Sequence, residues 1–212
     1  MVLDGAGGQF DCVVEAAAGS EVKLSVRERL MAPPLPCRVT LLQAIPKGKL
    51  MEAIIQKATE LGVARVVPLL AERVATRLEG ESAAQKGTKW QQTAIEAMKQ
   101  CGAPWLPRIE TPLTPAAFLE RRENIELSLL GSLQPDSRHP RTGFDDFRQR
   151  HGRLPVSASF WIGPEGDFTP QESAAIESSG ALPITLGPLV LRTETAALYC
   201  LSILTYELGA PR

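Results

Sequence analysis

A short polar cluster stands between two apolar segments near the end of the chain, and its residue types could carry chemistry. It reads LRTETA, from Leu191 to Ala196, after a strand-like run and before a helix-like run. Thr193 or Thr195 could cap the following helix and Glu194 would complement its dipole, so these three have a structural explanation. Arg192 has none as good. An arginine beside a pocket can hold a phosphate or carbonyl with two hydrogen bonds and stabilise a developing anion.

Three apolar strand-like runs each end in a glycine, at Gly131, Gly163 and Gly187. Because the carboxyl ends of parallel strands meet at one edge of a sheet, we expect these glycines to line one crevice. Main-chain amides and carbonyls there would suit an adenine ring. Apolar walls for such a pocket are available from Leu130, Ile162, Leu186 and Leu191. The alternative is that the glycines simply end strands before helices, and spacing alone does not decide between the two.

Several ligand classes are excluded by what the sequence lacks. Neither of the phosphate-binding patterns G-x-G-x-x-G and G-x-x-x-x-G-K occurs, which argues against a dinucleotide or a nucleoside triphosphate. The four cysteines form no C-x-x-C pair, and both histidines lie in one basic stretch. We therefore expect neither a metal site nor a histidine-based triad.

The bulk composition is that of a soluble enzyme-sized domain. The 212 residues are 44% hydrophobic and 22% charged, which suits one main core with at most a small appendage. No window approaches the roughly 20 apolar residues of a membrane span, and the opening segment shows no secretory signal. We expect a cytoplasmic protein that does not contact membranes.

Overall charge gives no general attraction to nucleic acid. The net charge is −1, so any contact with RNA would need a local basic patch. Two candidates run from Arg138 to Arg153 and from Lys47 to Arg77. We interpret both first as solvated loop and helix faces, because clusters of this kind usually have that structural role.

The elements that must position these residues alternate between strand and helix from Val39 onward, which predicts an α/β domain with a largely parallel sheet. The predicted strands span 39–45, 64–70, 125–131, 159–163 and 182–187. The predicted helices are 49–61, ending at Gly62, then 90–100, one after Thr114-Pro115, one from Pro170 within a capping box, and about 194–208. The last is apolar nearly all round, so we expect it to be buried in the core or against a second subunit.

The first residues follow a different pattern. Runs 9–16 and 21–27 alternate apolar and polar residues around a Gly19-Ser20 turn, which predicts a hairpin. A proline cluster at Pro33, Pro34 and Pro36 follows and can continue neither a helix nor a central strand. We therefore place a domain boundary there, dividing the chain into residues 1–36 and 37–212.

Four segments together resemble the bacterial 16S rRNA uridine-N3 methyltransferase family. They are KGKLMEAIIQKATELGV (47–63), KWQQTAIEAMKQCG (89–102), WIGPEGDFTPQE (161–172) and LGPLVLRTETAALY (186–199). They are spread over most of the chain from Val39 onward. The last two are the specific ones, because GPEG followed at this spacing by LGP and LRTETA is hard to reach by chance.

This resemblance implies a SPOUT methyltransferase domain, in which a parallel sheet carries a C-terminal trefoil knot that binds S-adenosylmethionine (SAM). Periodicity alone does not indicate a knot, which is a rare topology. The resemblance also implies a homodimer whose knot regions pack together, and no metal. Its substrate would be a uridine N3 in 16S rRNA, either in isolated RNA or in the assembled small subunit.

The resemblance also assigns residues. Arg192 and Glu194 would face the target base, Arg192 stabilising charge on the uracil oxygens and Glu194 accepting the N3 proton or holding the base. The cofactor would contact Leu130, Gly131, Ile162, Gly163, Pro164, Glu165, Gly166, Leu186, Gly187, Leu191, Arg192, Thr193, Thr195 and Ala196.

The chain differs from the family pattern in two places. The segment before Pro33 resembles only the last part of the RNA-binding, PUA-like β-barrel with which the family begins. Asp167 stands where the family commonly carries glycine. Two other functions stay open: a SPOUT enzyme that modifies another RNA position, such as a ribose hydroxyl, and a non-catalytic RNA-binding or ribosome-assembly protein.

Overall fold

In a computed structural model of the protein, which describes residues 1–74 and 81–209, the chain forms two β-sheets of different kinds. The small sheet is antiparallel and consists of β1 (Val2–Leu3), β2 (Gly8–Ala18) and β3 (Glu21–Met31). This confirms the predicted hairpin, with longer strands. Arg77, the end of the second basic group, lies outside the described residues.

The large sheet has six strands in the order β6-β5-β4-β8-β7-β9, and every pairing in it is parallel. The strands are β4 (Arg38–Ala44), β5 (Arg65–Leu69), β6 (Arg108–Ile109), β7 (Leu127–Gly131), β8 (Ser157–Ile162) and β9 (Leu182–Ile184). The predicted α/β class and parallel sheet are confirmed. The last strand is shorter than predicted, because the chain leaves the sheet after Ile184.

Helices cover both faces of this sheet. They are α1 (Leu50–Glu60), α2 (Glu81–Cys101), α3 (Pro115–Glu120), α4 (Pro140–His151), α5 (Pro170–Ser178) and α6 (Thr193–Leu208). Successive residues of β4 point to opposite faces. Leu41 therefore belongs to the core under α1 and α6, and Leu42 to the core that holds Phe118 of α3 and Ile176 of α5.

Local signals fixed several helix ends. Gly62 has φ +75° just after α1, the left-handed conformation expected of a helix-ending glycine. At the start of α5, Thr169 and Glu172 form the predicted capping box, each side chain accepting from the other residue's amide. By contrast α2 begins at Glu81, nine residues before the predicted start at Trp90. The prediction missed the first half of the helix because its sequence has no clear apolar periodicity.

The proline-containing segment 32–37 joins the two sheets, and loops beside the sheets also contact each other. The amide of Gly7 donates to Pro104 O, and the indole Nε1 of Trp105 donates to Pro33 O at 3.0 Å. A Cβ on Gly7 would lie 2.5 Å from the Trp105 ring, so only glycine permits this approach. The division into domains at residues 36 and 37 stays a prediction.

Ion pairs account for much of the basic stretch around α4. Arg138 pairs with Asp146 and Arg148 with Asp145. Arg153 pairs with Glu126 through two short hydrogen bonds of 2.7 and 2.8 Å. These contacts support the structural explanation of the stretch. Among the described residues, no helix is both long and apolar enough to cross a membrane.

The Glu126 pairing ties the entry of β7 to the entry of β8 and makes a pH-dependent contribution to stability. Hydrogen bonds from Arg153 and from the Val156 amide lower the pKa of the Glu126 carboxyl from 4.5 to about 2. A folded-state pKa below that of the unfolded chain stabilises the fold above pH 4.5, and this stabilisation is lost as the pH falls toward 2.

We expect Glu126→Gln to lower the midpoint of thermal unfolding at pH 7, with the difference from wild type shrinking between pH 4.5 and 2. Differential scanning calorimetry across this range measures it. Glu177→Gln, at an exposed position of α5, is the matched control. A difference from wild type that stays constant with pH would contradict the assignment.

Candidate active site

A cleft of about 290 Å³ opens at the carboxyl edge of the large sheet. This is close to the lower end of the range for small-molecule pockets, roughly 300 Å³. Three chain segments form it: the end of β7, the turn after β8, and the connection from β9 to α6. The lining residues are Gly131, Ser132, Leu133, Ile162, Gly163, Pro164, Glu165, Asp167, Leu186, Gly187, Leu189, Val190, Leu191, Arg192, Thr193 and Ala196. The three strand-end glycines therefore meet in one crevice, as expected.

Four of the predicted site residues lie outside the cleft lining. Leu130 is buried in the core on the α3–α5 face. Successive residues of a strand point to opposite faces, and it is the next residue, Gly131, that lines the cleft. Gly166 faces Arg73, whose guanidinium donates to its carbonyl at 2.8 Å. Glu194 is half-buried and Thr195 exposed on the first turn of α6.

Sequence reasoning also missed several lining residues: Ser132, Leu133, Asp167, Leu189 and Val190. Leu189 and Val190 are 74% and 77% exposed. Two large apolar side chains in a row between Gly187 and Arg192 were a signal that this connection is not an ordinary solvated loop. Asp167 departs from the glycine common in the family, but the sequence assigns it no role.

Gly131 leaves room between the apolar walls of the cleft. A Cβ built on it would lie 3.5 Å from the Ile162 side chain, 3.5 Å from the Trp161 carbonyl and 3.6 Å from the Leu186 side chain. Any larger side chain would fill the space between the two aliphatic groups. The site thus offers a flat, apolar slot bordered by main-chain polar groups, which suits a neutral heteroaromatic ring.

The turn after β8 is held rigidly by its neighbours. Within the turn, the Asp167 amide donates to Pro164 O at 2.9 Å. The amide of Lys47, in the loop after β4, donates to Glu165 Oε1 at 2.9 Å. On the other side Arg73, in the loop after β5, binds the Gly166 carbonyl. The loops after β4 and β5 therefore position this wall of the cleft.

A buried chain of hydrogen bonds fixes the start of α6. The Gln43 Nε2 donates to Thr193 Oγ1 at 3.0 Å and to the Ala44 carbonyl, and Thr193 Oγ1 donates to Gly163 O at 2.8 Å. Gln43 is fully buried at the end of β4. The prediction that Thr193 or Thr195 caps α6 is wrong: Arg192 is the N-cap residue and its side chain makes no capping bond. The Thr193 hydroxyl is instead used to anchor the helix to the cleft wall.

Arg192 is free to act on a ligand. It lines the cleft, its side chain is exposed, and within residues 1–74 and 81–209 its guanidinium has no hydrogen-bond or ion-pair partner. Its backbone is fixed by Thr193, the next residue, and by the Ala196 amide, which donates to its carbonyl. A rigid backbone with an unpaired guanidinium is suited to binding an anion or a polarised carbonyl.

The chain around β9 has an unusual path. On one edge of β9 the amide of Ser132 donates to Ile184 O. On the other edge the Arg138 amide donates to Pro183 O, and the Thr185 amide donates to Arg138 O. The two ends of the short segment 132–138 thus flank the same strand on opposite edges. The connection from β9 to α6 leaves the sheet between them.

Charged groups in the cleft lining are few: Glu165, Asp167 and Arg192. Among the described residues no cluster of three or more histidine, cysteine or acidic side chains could hold a metal ion. The polar groups available in the cleft are therefore those of the main chain, the hydroxyls of Ser132 and Thr193, two carboxylates and one guanidinium.

Comparison with known proteins agrees with this geometry. Residues 33–205 match the family of RNA methyltransferase domains. Three relatives are called ribosomal RNA small subunit methyltransferase E. The one from Synechocystis is 35% identical over 92% of this chain and 62% of its own length. Those from Aquifex aeolicus and Bacillus subtilis are each 31% identical, over 92% and 82% of this chain and 80% and 67% of their own lengths.

Solved structures give the same result. A Legionella pneumophila protein in complex with SAM superposes with a TM-score of 0.84 at 33% identity, covering 96% of this chain and 81% of its own. The Neisseria gonorrhoeae ribosomal RNA small subunit methyltransferase E bound to SAM gives 0.81 at 28% identity, with the same coverage. The cleft, its arginine and these matches lead to one conclusion: the chain belongs to the family of RNA methyltransferase domains.

Proposed function

We propose that this protein transfers a methyl group from SAM to N3 of a uridine in 16S ribosomal RNA. The observation that carries the proposal is the glycine-lined cleft with the unpaired Arg192 at its rim, in a chain whose relatives are small-subunit rRNA methyltransferases. Ribosomal subunits are assembled in the cytoplasm, so a cytoplasmic location follows from this function.

The cleft fits the cofactor in shape and chemistry. The slot beside Gly131 suits the adenine ring, and the main chain of the turn after β8 offers donors and acceptors for its edge. When bound, SAM supplies an electrophilic methyl group. The residues that would hold it are Gly131, Ile162, Gly163, Pro164, Glu165, Leu186, Gly187, Leu191, Arg192, Thr193 and Ala196. Leu130, Gly166 and Thr195 lie outside the cleft lining, each next in sequence to a residue that lines it.

Arg192 and Glu194 are proposed to act on the uracil. The N3 proton must leave before or as the methyl group arrives, which puts negative charge on the uracil oxygens. The Arg192 guanidinium, exposed at the cleft rim, stabilises that charge. Glu194, half-buried one residue after Thr193, accepts the N3 proton or holds the base in place.

A trefoil knot is proposed for the C-terminal part, as in SPOUT methyltransferases. Its support is the segment 132–138, whose ends bond opposite edges of β9. The connection that follows β9 passes between those ends before α6 returns to pack on α1 and β4. Threading of this kind brings the connection against the turn after β8, which closes the cleft on its third side.

The small sheet is proposed to be the last part of a PUA-like RNA-binding barrel. Its strands are mostly exposed on both faces, with Val14, Val22 and Val26 each more than half exposed. It is fixed to the large domain through Gly7 and Trp105. RNA held on this sheet would therefore keep a defined orientation relative to the cleft.

The function is tested by incubating the protein and SAM with unmodified small ribosomal subunits and, separately, with naked 16S rRNA. Nucleoside mass spectrometry should show 3-methyluridine formed in a SAM-dependent manner. A ribose-methylated product would instead identify a SPOUT enzyme of another specificity. Saturable SAM binding by calorimetry without any methylation would favour the non-catalytic assembly protein, and absence of SAM binding would contradict the whole proposal.

In the same assay we expect Arg192→Ala to lower kcat/KM by roughly a hundredfold or more, the usual cost of removing a donor to a developing anion. Arg150→Ala, at an exposed position of α4 outside the cleft, should leave it unchanged. Undiminished methyl transfer by an Arg192→Ala protein that still binds SAM would refute the arginine's role.

Gln43→Met should weaken SAM binding much more than it changes the folding stability of the protein. The substitution removes both Nε2 hydrogen bonds, but also the buried Oε1 that lacks a partner, so folding stability should change by only about 1 kcal/mol. SAM affinity should fall roughly tenfold, because the start of α6 is no longer fixed. Thr193→Val should act through the same bonds, and the double variant should be no worse than the worse single one. Additive losses measured by calorimetry would show that the two residues act separately.

A homodimer is proposed through α6 and the adjoining cleft rim. Tyr206 and Tyr199 of α6 are 85% and 46% exposed, and they border a groove with Phe144 and Ile203. Exposed aromatic side chains on a helix are typical of an interface, and Leu189 and Val190 at the cleft rim are exposed as well. A second copy of the chain would cover this surface and close the open side of the cleft.

We expect sedimentation equilibrium to show a dimer, and Tyr206→Glu to give a folded monomer, because a charge placed in an apolar interface must be desolvated. Val22→Glu, on the exposed face of β3, is the control and should stay dimeric. A monomeric wild-type protein would contradict this interface. So would the opposite result for the two variants, with Tyr206→Glu still dimeric and Val22→Glu monomeric.

A further inference from the structure

Asp167 is held in a backbone conformation that few residues adopt. Its φ is +61°, in the left-handed region, where most side chains are strained and glycine, asparagine and aspartate are tolerated. It ends the turn that begins at Pro164 and lines the cleft. Strain kept at a ligand site is a reason to look for a role for the side chain.

The position of its carboxylate is well defined. Oδ1 accepts a hydrogen bond from the Phe168 amide at 2.8 Å. A Cβ built on Gly163 would lie 2.8 Å from the same oxygen, so the carboxylate rests directly against the main chain of the cleft wall. Within the described part of the chain, Oδ2 has no hydrogen-bond partner. The side chain is half-buried and holds its charge at the cleft surface.

The cleft lining as a whole is negative. Its charged side chains are Glu165, Asp167 and Arg192, two anions against one cation. SAM carries a sulfonium and an ammonium against one carboxylate, so it is a net cation. Its product, S-adenosylhomocysteine, has a neutral thioether in place of the sulfonium and no net charge. The two ligands have nearly the same shape and differ in the charge that this lining would sense.

We propose that Asp167 is a specificity residue that makes the cleft prefer the sulfonium-bearing donor over its neutral product. This rests on the proposed function, since it assumes that the cleft holds SAM. A carboxylate in a partly desolvated site interacts with a nearby cation more strongly than it would in water. The consequence is that SAM occupies the cleft in competition with the product at a lower ratio of donor to product.

The test is calorimetric binding of SAM and of S-adenosylhomocysteine, separately, to wild type, Asp167→Asn and Asp167→Gly. Asparagine tolerates the left-handed conformation and keeps an oxygen for the Phe168 amide, so it removes the charge alone. The preference for SAM over the product should fall about fivefold in both variants, while affinity for the product changes less than twofold. Sinefungin, in which an amine-bearing carbon replaces the sulfonium, should lose affinity as SAM does.

Two controls sharpen the result. Asp136→Asn removes an exposed carboxylate of the segment 132–138 that does not line the cleft, and it should leave the preference unchanged. Raising the salt concentration should reduce the wild-type preference more than that of Asp167→Asn, because salt screens the charge that the variant lacks.

Other outcomes overturn the proposal. An unchanged preference in Asp167→Asn would mean that the residue only forms the turn. Equal losses of affinity for both ligands would mean that Asp167 shapes the cleft and does not distinguish the ligands by their charge. A wild type that binds neither ligand would instead contradict the proposed function itself, so the two failures are distinguishable.

Discussion

The carboxyl edge of the large sheet depends on the hydrogen bonds that join Gln43, Thr193 and Gly163. They connect the end of β4, the first turn of α6 and the turn after β8, three segments that are far apart in the sequence. Their burial strengthens each bond and makes a lost partner costly. Because Arg192 directly precedes Thr193, the same contacts that close the cleft also set where Arg192 stands.

The parallel sheet supplies the rest of the site's rigidity. All of β4 from Val39 to Ala44 is buried, as expected for a central strand covered by helices on both faces. The loops that follow β4 and β5 then bond to the turn after β8 through Lys47 and Arg73. A cleft made mainly of main chain can hold its shape only if the turns that form it are fixed in this way.

Exposed apolar side chains are concentrated elsewhere, at the surfaces suited to partners. The loop between β1 and β2 contacts the segment before β6 through Gly5, Gly7 and Trp105, and the small sheet leaves most of its own apolar side chains uncovered. Leu189 and Val190 at the cleft rim and Tyr206 near the end of α6 are also largely exposed. The molecule thus combines a fixed ligand cleft with two open apolar surfaces, one for the proposed RNA-binding barrel and one for the proposed second subunit.

The sequence by itself determined what local interactions govern: the order of most strands and helices, the helix end at Gly62, the capping box of Thr169 and Glu172, and the meeting of three glycines at one edge. These follow from periodicity, caps and the parallel class of the sheet. The two-residue strands β1 and β6 and the helix α4 were not among the predicted elements. Only the tertiary structure decided that Leu130 faces the other core, that Thr193 binds Gly163 and does not cap its helix, and that Asp167 lines the cleft. The physical reason is that these depend on strand order and on hydrogen bonds between residues as much as 150 positions apart, for which a single sequence carries no local signal.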